Sequence, residues 1–176
     1  FKIQNNDELI LYFDESVKHS SLKEVLIEEF VSGQEYIVEA FTNNFQVTNL
    51  VIGHRDNFNF PNKFIPKAGI FIDAGSAISD VEKRILEANK KLVAGFGLRF
   101  GITHAEYIYN KQTDKVYLVE IAARGGGVRI SSDIIPLGCG INAEKLLVEA
   151  VLGRIKENGS IKLTKGSSAY FMYILP

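Results

Sequence analysis

Residues 100–127 read FGITHAEYIYNKQTDKVYLVEIAARGGG. Two runs rich in β-branched and aromatic residues, 100–110 and 115–122, flank the turn NKQTD, so an antiparallel hairpin is expected here. If the turn centres on Thr113, Glu106 and Glu120 stand opposite each other with Cβ atoms about 4.5 to 5.5 Å apart. Alternation then places Ile102, His104, Glu106 and Ile108 on one face, met by Val116, Leu118 and Glu120, and both acids point into largely apolar surroundings. Facing carboxylates in such a place repel one another unless one keeps a proton or a cation lies between them. A divalent ion answers this, and an all-oxygen ligand set that leaves positions for water and phosphate suits Mg²⁺.

The chain continues after Glu120 through Ala122 and Ala123 to Arg124, Gly125, Gly126 and Gly127. A guanidinium matches the oxygens of carboxylate or phosphate in a bidentate contact, and glycine backbone can offer successive N–H groups to an anion. Metal, arginine and amides would converge on a phosphate. Each feature alone has a plainer reading: a glycine-rich turn, a surface ion pair for Arg124, a hydrogen-bonded core histidine for His104.

Outward from the hairpin, capped helices and strands alternate without strict β-α-β order. Asn6 is read as the N-cap of a helix that carries Leu9, Ile10, Phe13 and Val17 on one face of residues 6–18. Residues 24–31, 34–41 and 45–55 read as three strands of a meander. No periodicity is evident in 57–78. Ser79 and Glu82 form a capping box ahead of Val81, Ile85, Leu92 and Phe96, with glycines 95 and 97 as the stop. Residues 142–153 form another amphipathic helix capped by Asn142, and SSAYFMYILP at 167–176 reads as a final strand. The expected class is α+β, an antiparallel sheet with helices packed on one face.

With 176 residues, 46 % apolar, the chain suits one well-cored domain. A net charge of −1 with interspersed signs gives no field to favour nucleic acid or an anionic membrane. The lone Cys139 permits no internal disulfide, which with the lack of a signal or membrane span points to the cytoplasm. The chain opens at Phe1 and its one methionine is Met172, so it is expected to be a piece of something longer.

IEEFVSGQEYIVEAF, GITHAEYIY and YLVEIAARGGG, in this order, resemble the C-terminal half of the ATP-grasp superfamily, which includes D-alanine ligase, biotin carboxylase and carbamoyl phosphate synthetase. The form GITHAE, VEIAARGGG, IIPLGCGIN is most similar to carboxylate-amine ligases of the L-amino acid ligase type, over residues 25–153. That resemblance implies ATP and Mg²⁺ as cofactors. It also implies that Glu28 accepts the adenine amino group, that Glu29 and Val31 meet adenine through backbone groups, and that Glu35 holds the ribose hydroxyls. Glu106 and Glu120 match the magnesium carboxylates, and Arg124 the arginine that steadies the transferred phosphoryl group. His104 falls where some members place an arginine near the γ-phosphate, and Arg129 is a candidate for a substrate carboxylate.

The sequence departs from the family in having Ala122 where many members carry a metal-binding asparagine. The lysine-bearing strands and glycine-rich loop of the upstream half have no counterpart, and HRDNFNFPNKFIPKAG resembles the mobile stretch only loosely. The implied activity is an ATP-dependent ligation of a carboxylate to an amine or thiol through an acyl phosphate, with the missing N-terminal lobe as a partner, a homodimer as one possible assembly, and an isolated chain that is itself inactive. Chemistry on bicarbonate, as in carbamoyl phosphate synthetase or biotin carboxylase, and a non-catalytic nucleotide-binding module are the alternatives.

Overall fold

The computed structural model describes residues 1–60, 65–77, 79–155, 161–164 and 166–174. Its elements are α1 (Asn6–Lys18), β1 (Gln34–Asn43), β2 (Gln46–Asn57), β3 (Pro66–Asp73), α2 (Asp80–Gly95), β4 (Phe100–Asn110), β5 (Lys115–Ala122), α3 (Ile135–Cys139), α4 (Ala143–Val151) and β6 (Ser168–Met172). The strands form one antiparallel sheet in the order β5-β4-β1-β2-β3-β6. The α+β class and the antiparallel sheet are as expected. The helices, however, are divided between the two faces.

On one face α2 packs over β2 and β4. Val38, Ile52, Ile85, Leu86, Ala105 and Tyr107 make that core. The capping box is present in full, with Ser79 accepting from the Glu82 amide and Glu82 accepting from the Ser79 amide. Phe96, read as part of the buried stripe, is exposed, and the side chains α2 buries are Ile85, Leu86, Asn89 and Val93. Asn89 is there for its amide: it donates to Asn49 Oδ1 (2.8 Å) and accepts from the Tyr107 hydroxyl (2.9 Å), while Asn49 donates to the Leu86 carbonyl. A buried polar chain of this kind fixes the helix on the sheet only because each of these bonds is made. Burial pushes the Tyr107 hydroxyl well above the usual tyrosine range.

The opposite face is covered by a π-helical turn (Ile130–Ile134), α3 and α4. Ile37, Phe41, Leu50, Val51, Phe71 and Ile102 meet Ile130, Ile134, Ile135 and Cys139 there. Two glycines permit the fit, since a Cβ on Gly53 would lie 2.5 Å from the Phe71 ring and one on Gly69 2.5 Å from the Phe171 ring. β3 lies within the span read as aperiodic, because both of its faces carry apolar or small residues and no alternation shows. Residues 61–64 of the loop HRDNFNFPNKFIPKAG and residue 78 lie outside the described residues.

Residues 24–31 form no strand, and Glu28 and Glu29 are exposed. α1 exists with Asn5 rather than Asn6 as its N-cap, accepting from the Glu8 amide, and it buries no residue. No helix among the described residues is long and apolar enough to cross a membrane.

The hairpin has the expected strands and the expected Glu106–Glu120 pair, reached by a different route. Pairing runs Asn110 with Lys115, Tyr109 with Val116, Ile108 with Tyr117 and Tyr107 with Leu118, so the turn centres one half-residue earlier than Thr113. A bulge between Glu106 and Tyr107 then skips Val119 and brings Glu120 opposite Glu106. An extra residue reverses the side-chain alternation. Val116 and Leu118 therefore lie on the α2 face, where Val116 packs, and only Glu120 joins Glu106 on the other.

Candidate active site

Past the cover of α3 and α4, the second face opens into a cleft of about 310 Å³ lined by residues of all six strands, by those that follow β6, and by the glycine loop. Its charged wall holds Arg55, His104, Glu106, Glu120 and Arg124; Pro66, Val128, Phe171 and Tyr173 make an apolar one. Strand alternation delivers the charged wall. Glu35, Ile37 and Glu39 share a face of β1, and across from them stand Arg55 on β2 and His104 and Glu106 on β4.

These side chains form one continuous ionic chain. Arg55 donates from Nη1 (3.0 Å) and Nη2 (2.5 Å) to the two oxygens of Glu106, and from Nε to Glu35 (2.8 Å). Asn57 donates to the other Glu35 oxygen at 3.0 Å. His104 contacts Glu106 Oε1 through Nε2 at 3.2 Å and Glu39 through Nδ1. Glu39, 0 % exposed, also accepts from the Gly126 amide at 3.1 Å.

Charges so arranged shift one another's protonation. Burial opposes ionisation of Glu106, but hydrogen bonds from His104 and Arg55 outweigh it and hold the carboxyl down at about 2. Burial likewise opposes a charged His104, and its contacts with Glu106 and Glu39 prevail, holding the imidazole up at about 9. Burial pushes the Glu39 carboxyl up, against its bonds to His104 and Gly126. The surroundings of Glu106 are thus ionic, not the apolar ones expected.

The structure brings together His104, Glu106, Glu120 and Arg124. Ligand atoms of His104, Glu106 and Glu120 lie within 4.8 Å of one another, and they alone among the described residues form such a group. With Glu106 ionised across the working pH range and Glu120 exposed beside it, the two carboxylates fit a hard divalent cation; His104 has both ring nitrogens engaged by carboxylates. Arg124 is exposed, with a contact from Nη1 to the Gly125 carbonyl (3.0 Å).

Other expected residues lie apart from the cleft. Glu28, Glu29 and Val31 belong to the irregular segment before β1 and form no part of its walls, and Glu35 joins it only through Arg55. Arg129 pairs with Asp133 (2.6 Å) and is also absent from the walls. The expected cradle of glycine amides is altered too. The Gly126 N–H serves the protein's own Glu39 carboxylate. Val128 and Arg129 follow in left-handed conformation, φ 52° and 62°, a strained setting for a β-branched residue at a site.

Arg55, Glu39 and Asn57 received no role from the sequence. A signal existed for Glu39: it is the acid in the alternating run Ile37, Glu39, Phe41, whose neighbours are core residues. Arg55 gave none, since an arginine near a strand end is ordinarily a solvated one.

The sheet, its two helical covers and the cleft define an ATP-grasp architecture. The chain belongs to that family: the sequence model of the ATP-grasp domain matches residues 3–133. No curated protein matches the chain. Among solved structures it is similar to the L-amino acid ligase from Bacillus licheniformis (TM-score 0.69, 23 % identity, 96 % of this chain and 40 % of that one). It is also similar to biotin carboxylase from Campylobacter jejuni (TM-score 0.73, 14 % identity, 96 % and 37 %). The biotin carboxylase domain of Hydrogenobacter thermophilus 2-oxoglutarate carboxylase, solved with MgADP, ADP and bicarbonate, follows at TM-score 0.69, 13 % identity, 95 % and 36 %. At these identities the likeness is one of fold. The chain spans about two fifths of the ligase it resembles.

Proposed function

We propose that this chain is the metal-bearing and phosphate-bearing part of an ATP-dependent carboxylate-amine ligase. The observation that carries the reading is the paired Glu106 and Glu120 lining one cleft with Arg124 in an ATP-grasp fold. Glu106 and Glu120 would hold Mg²⁺, which when bound neutralises phosphate charge. Arg124 would steady the transferred phosphoryl group, and Glu28, Glu29 and Val31 would meet the adenine. Glu35 keeps acceptor capacity beyond its bonds from Arg55 and Asn57, which suits ribose hydroxyls. His104, fixed between two acids, is read as a positioning residue for Glu106.

In the proposed reaction a carboxylate oxygen of the substrate attacks the γ-phosphorus of ATP and ADP leaves. An amine or thiol then attacks the acyl phosphate, expelling phosphate and giving an amide or thioester. The chain's part is placement and charge, because phosphoryl transfer needs little covalent help. The apolar wall of Pro66, Val128, Phe171 and Tyr173 favours an organic carboxylate over bicarbonate.

The 40 % coverage of the ligase leaves room for a further lobe, and exposed Ile10, Leu11, Leu22, Leu26 and Ile27 offer it a surface. The test is to supply the protein, with that lobe, with ATP, Mg²⁺, a panel of amino acids and hydroxylamine. Amino-acid-dependent hydroxamate with matching ADP supports the reading, and ADP release that depends on bicarbonate alone would replace it.

A further inference from the structure

Arg55 occupies both oxygens of Glu106, the acid proposed for the metal, and at the same time grips Glu35, the acid proposed for the ribose. On Glu106, Oε1 already serves Arg55 Nη1 and His104 Nε2, which uses both of its lone pairs, and Oε2 serves Arg55 Nη2. A metal ion arriving alone would find one lone pair there and a fixed guanidinium charge beside it. At contact distances in a half-buried site, that repulsion offsets much of what the two carboxylates return.

We propose that Arg55 is a resident counter-cation for Glu106, which a divalent ion displaces only when nucleotide phosphate supplies Arg55 with another anion. The inference rests on the metal reading above and adds an order to it: metal and nucleotide bind together, and each is weak without the other. The planar fork that now spans Glu106 matches a phosphate equally well. His104, held by Glu39 on its far side, keeps its contact with Oε1 and so leaves Oε2 as the oxygen released to the ion. Electrostatic balance points the same way, because Arg55 already offsets one of the two acids, so a bare dication gains less from them than a dication that arrives with phosphates to take over Arg55.

The test is Mn²⁺ titration of the protein followed by electron paramagnetic resonance, with and without ADP, on the native chain, Arg55→Gln, Glu35→Gln and Glu106→Gln. Without nucleotide, Arg55→Gln is expected to bind Mn²⁺ at least tenfold more tightly than the native chain. Glu35→Gln, which removes one of the two anchors of Arg55 while leaving the metal acids intact, is expected to fall between them. With ADP the native chain should gain Mn²⁺ affinity by a larger factor than Arg55→Gln does. Thermal melts report whether each variant is folded, and Glu35→Gln carries the comparison if Arg55→Gln is not. Equal Mn²⁺ affinity in the native chain, Arg55→Gln and Glu35→Gln, with loss in Glu106→Gln, overturns the role of Arg55 and leaves the metal site standing. Mn²⁺ binding that ignores Glu106→Gln, or that occurs in none of the proteins even with ADP, overturns the metal reading and this inference with it.

Discussion

The three consecutive glycines of the site loop should respond to alanine in three different ways, and Gly126 decides the matter. A Cβ on Gly126 would lie 2.4 Å from Glu39 Oε1 and 2.8 Å from His104 Nδ1. Neither atom can retreat: Glu39 is fully buried, and the two are bound to each other. The loop would have to lift away, breaking the bond from the Gly126 amide to Glu39. Overpacking a tight site costs about 1 to 3 kcal/mol. Loss of a hydrogen bond to a charged group costs about 1.5 to 3 kcal/mol, so Gly126→Ala should lose about 2.5 to 6 kcal/mol. At Gly127 a Cβ would meet nothing within 4 Å, and Gly127→Ala should stay within about 0.5 kcal/mol of the native chain. Gly125→Ala, whose Cβ would lie 2.6 Å from that of Ser131, should fall between them. Urea unfolding measures this, with a midpoint shift above about 1 M expected for Gly126→Ala at the usual slopes. Near-native stability in Gly126→Ala, or an equal loss in Gly127→Ala, would refute the claim that this loop is seated on a buried carboxylate.

Two further outcomes follow from buried polar contacts. Asn89→Ala removes the acceptor of the Tyr107 hydroxyl and the donor to Asn49, and should cost about 2 to 4 kcal/mol in the same assay, with far less lost from Asp80→Asn, an exposed control on the same helix. The His104–Glu106 contact should shape stability against pH from both sides. Its histidine, raised from 6.5 to about 9, contributes stability fully present below pH 6.5 and lost as pH rises through about 9. Its acid, lowered from 4.5 to about 2, contributes stability present above pH 4.5 and lost as pH falls towards about 2. The two limbs share the His104–Glu106 contact, to which Glu39 adds on the basic side and Arg55 on the acidic side. Glu106→Gln should flatten both limbs in a pH series of thermal melts; unchanged limbs would show that the contact does not form in solution.

Much of the fold was legible because caps and alternation are local. Ser79 with Glu82, Asn142, and both strands of the hairpin stood where the sequence put them. Residues 24–31 misled for the opposite reason: a run of β-formers becomes a strand only when another strand offers its backbone, and none among the described residues does. β3 was missed because Ile70, Phe71 and Ile72 run apolar through both of its faces, so the sequence shows no alternation although Ile70 is exposed. At the site, facing acids were read from register, yet the bulge that restores the pair depends on how β5 meets β4. Arg55 and Glu39 are separated from their partners by 51 and 65 residues, and a local pattern cannot announce such contacts.

The central claim, that Glu106 and Glu120 together hold a metal-bound nucleotide in this cleft, is tested most directly by calorimetric titration with Mg-ADP. The titration is repeated with the metal chelated and on the doubly substituted Glu106→Gln, Glu120→Gln protein. Binding heat is expected with the native chain and should disappear in both controls. Binding of equal strength without the metal, or without both acids, would contradict it.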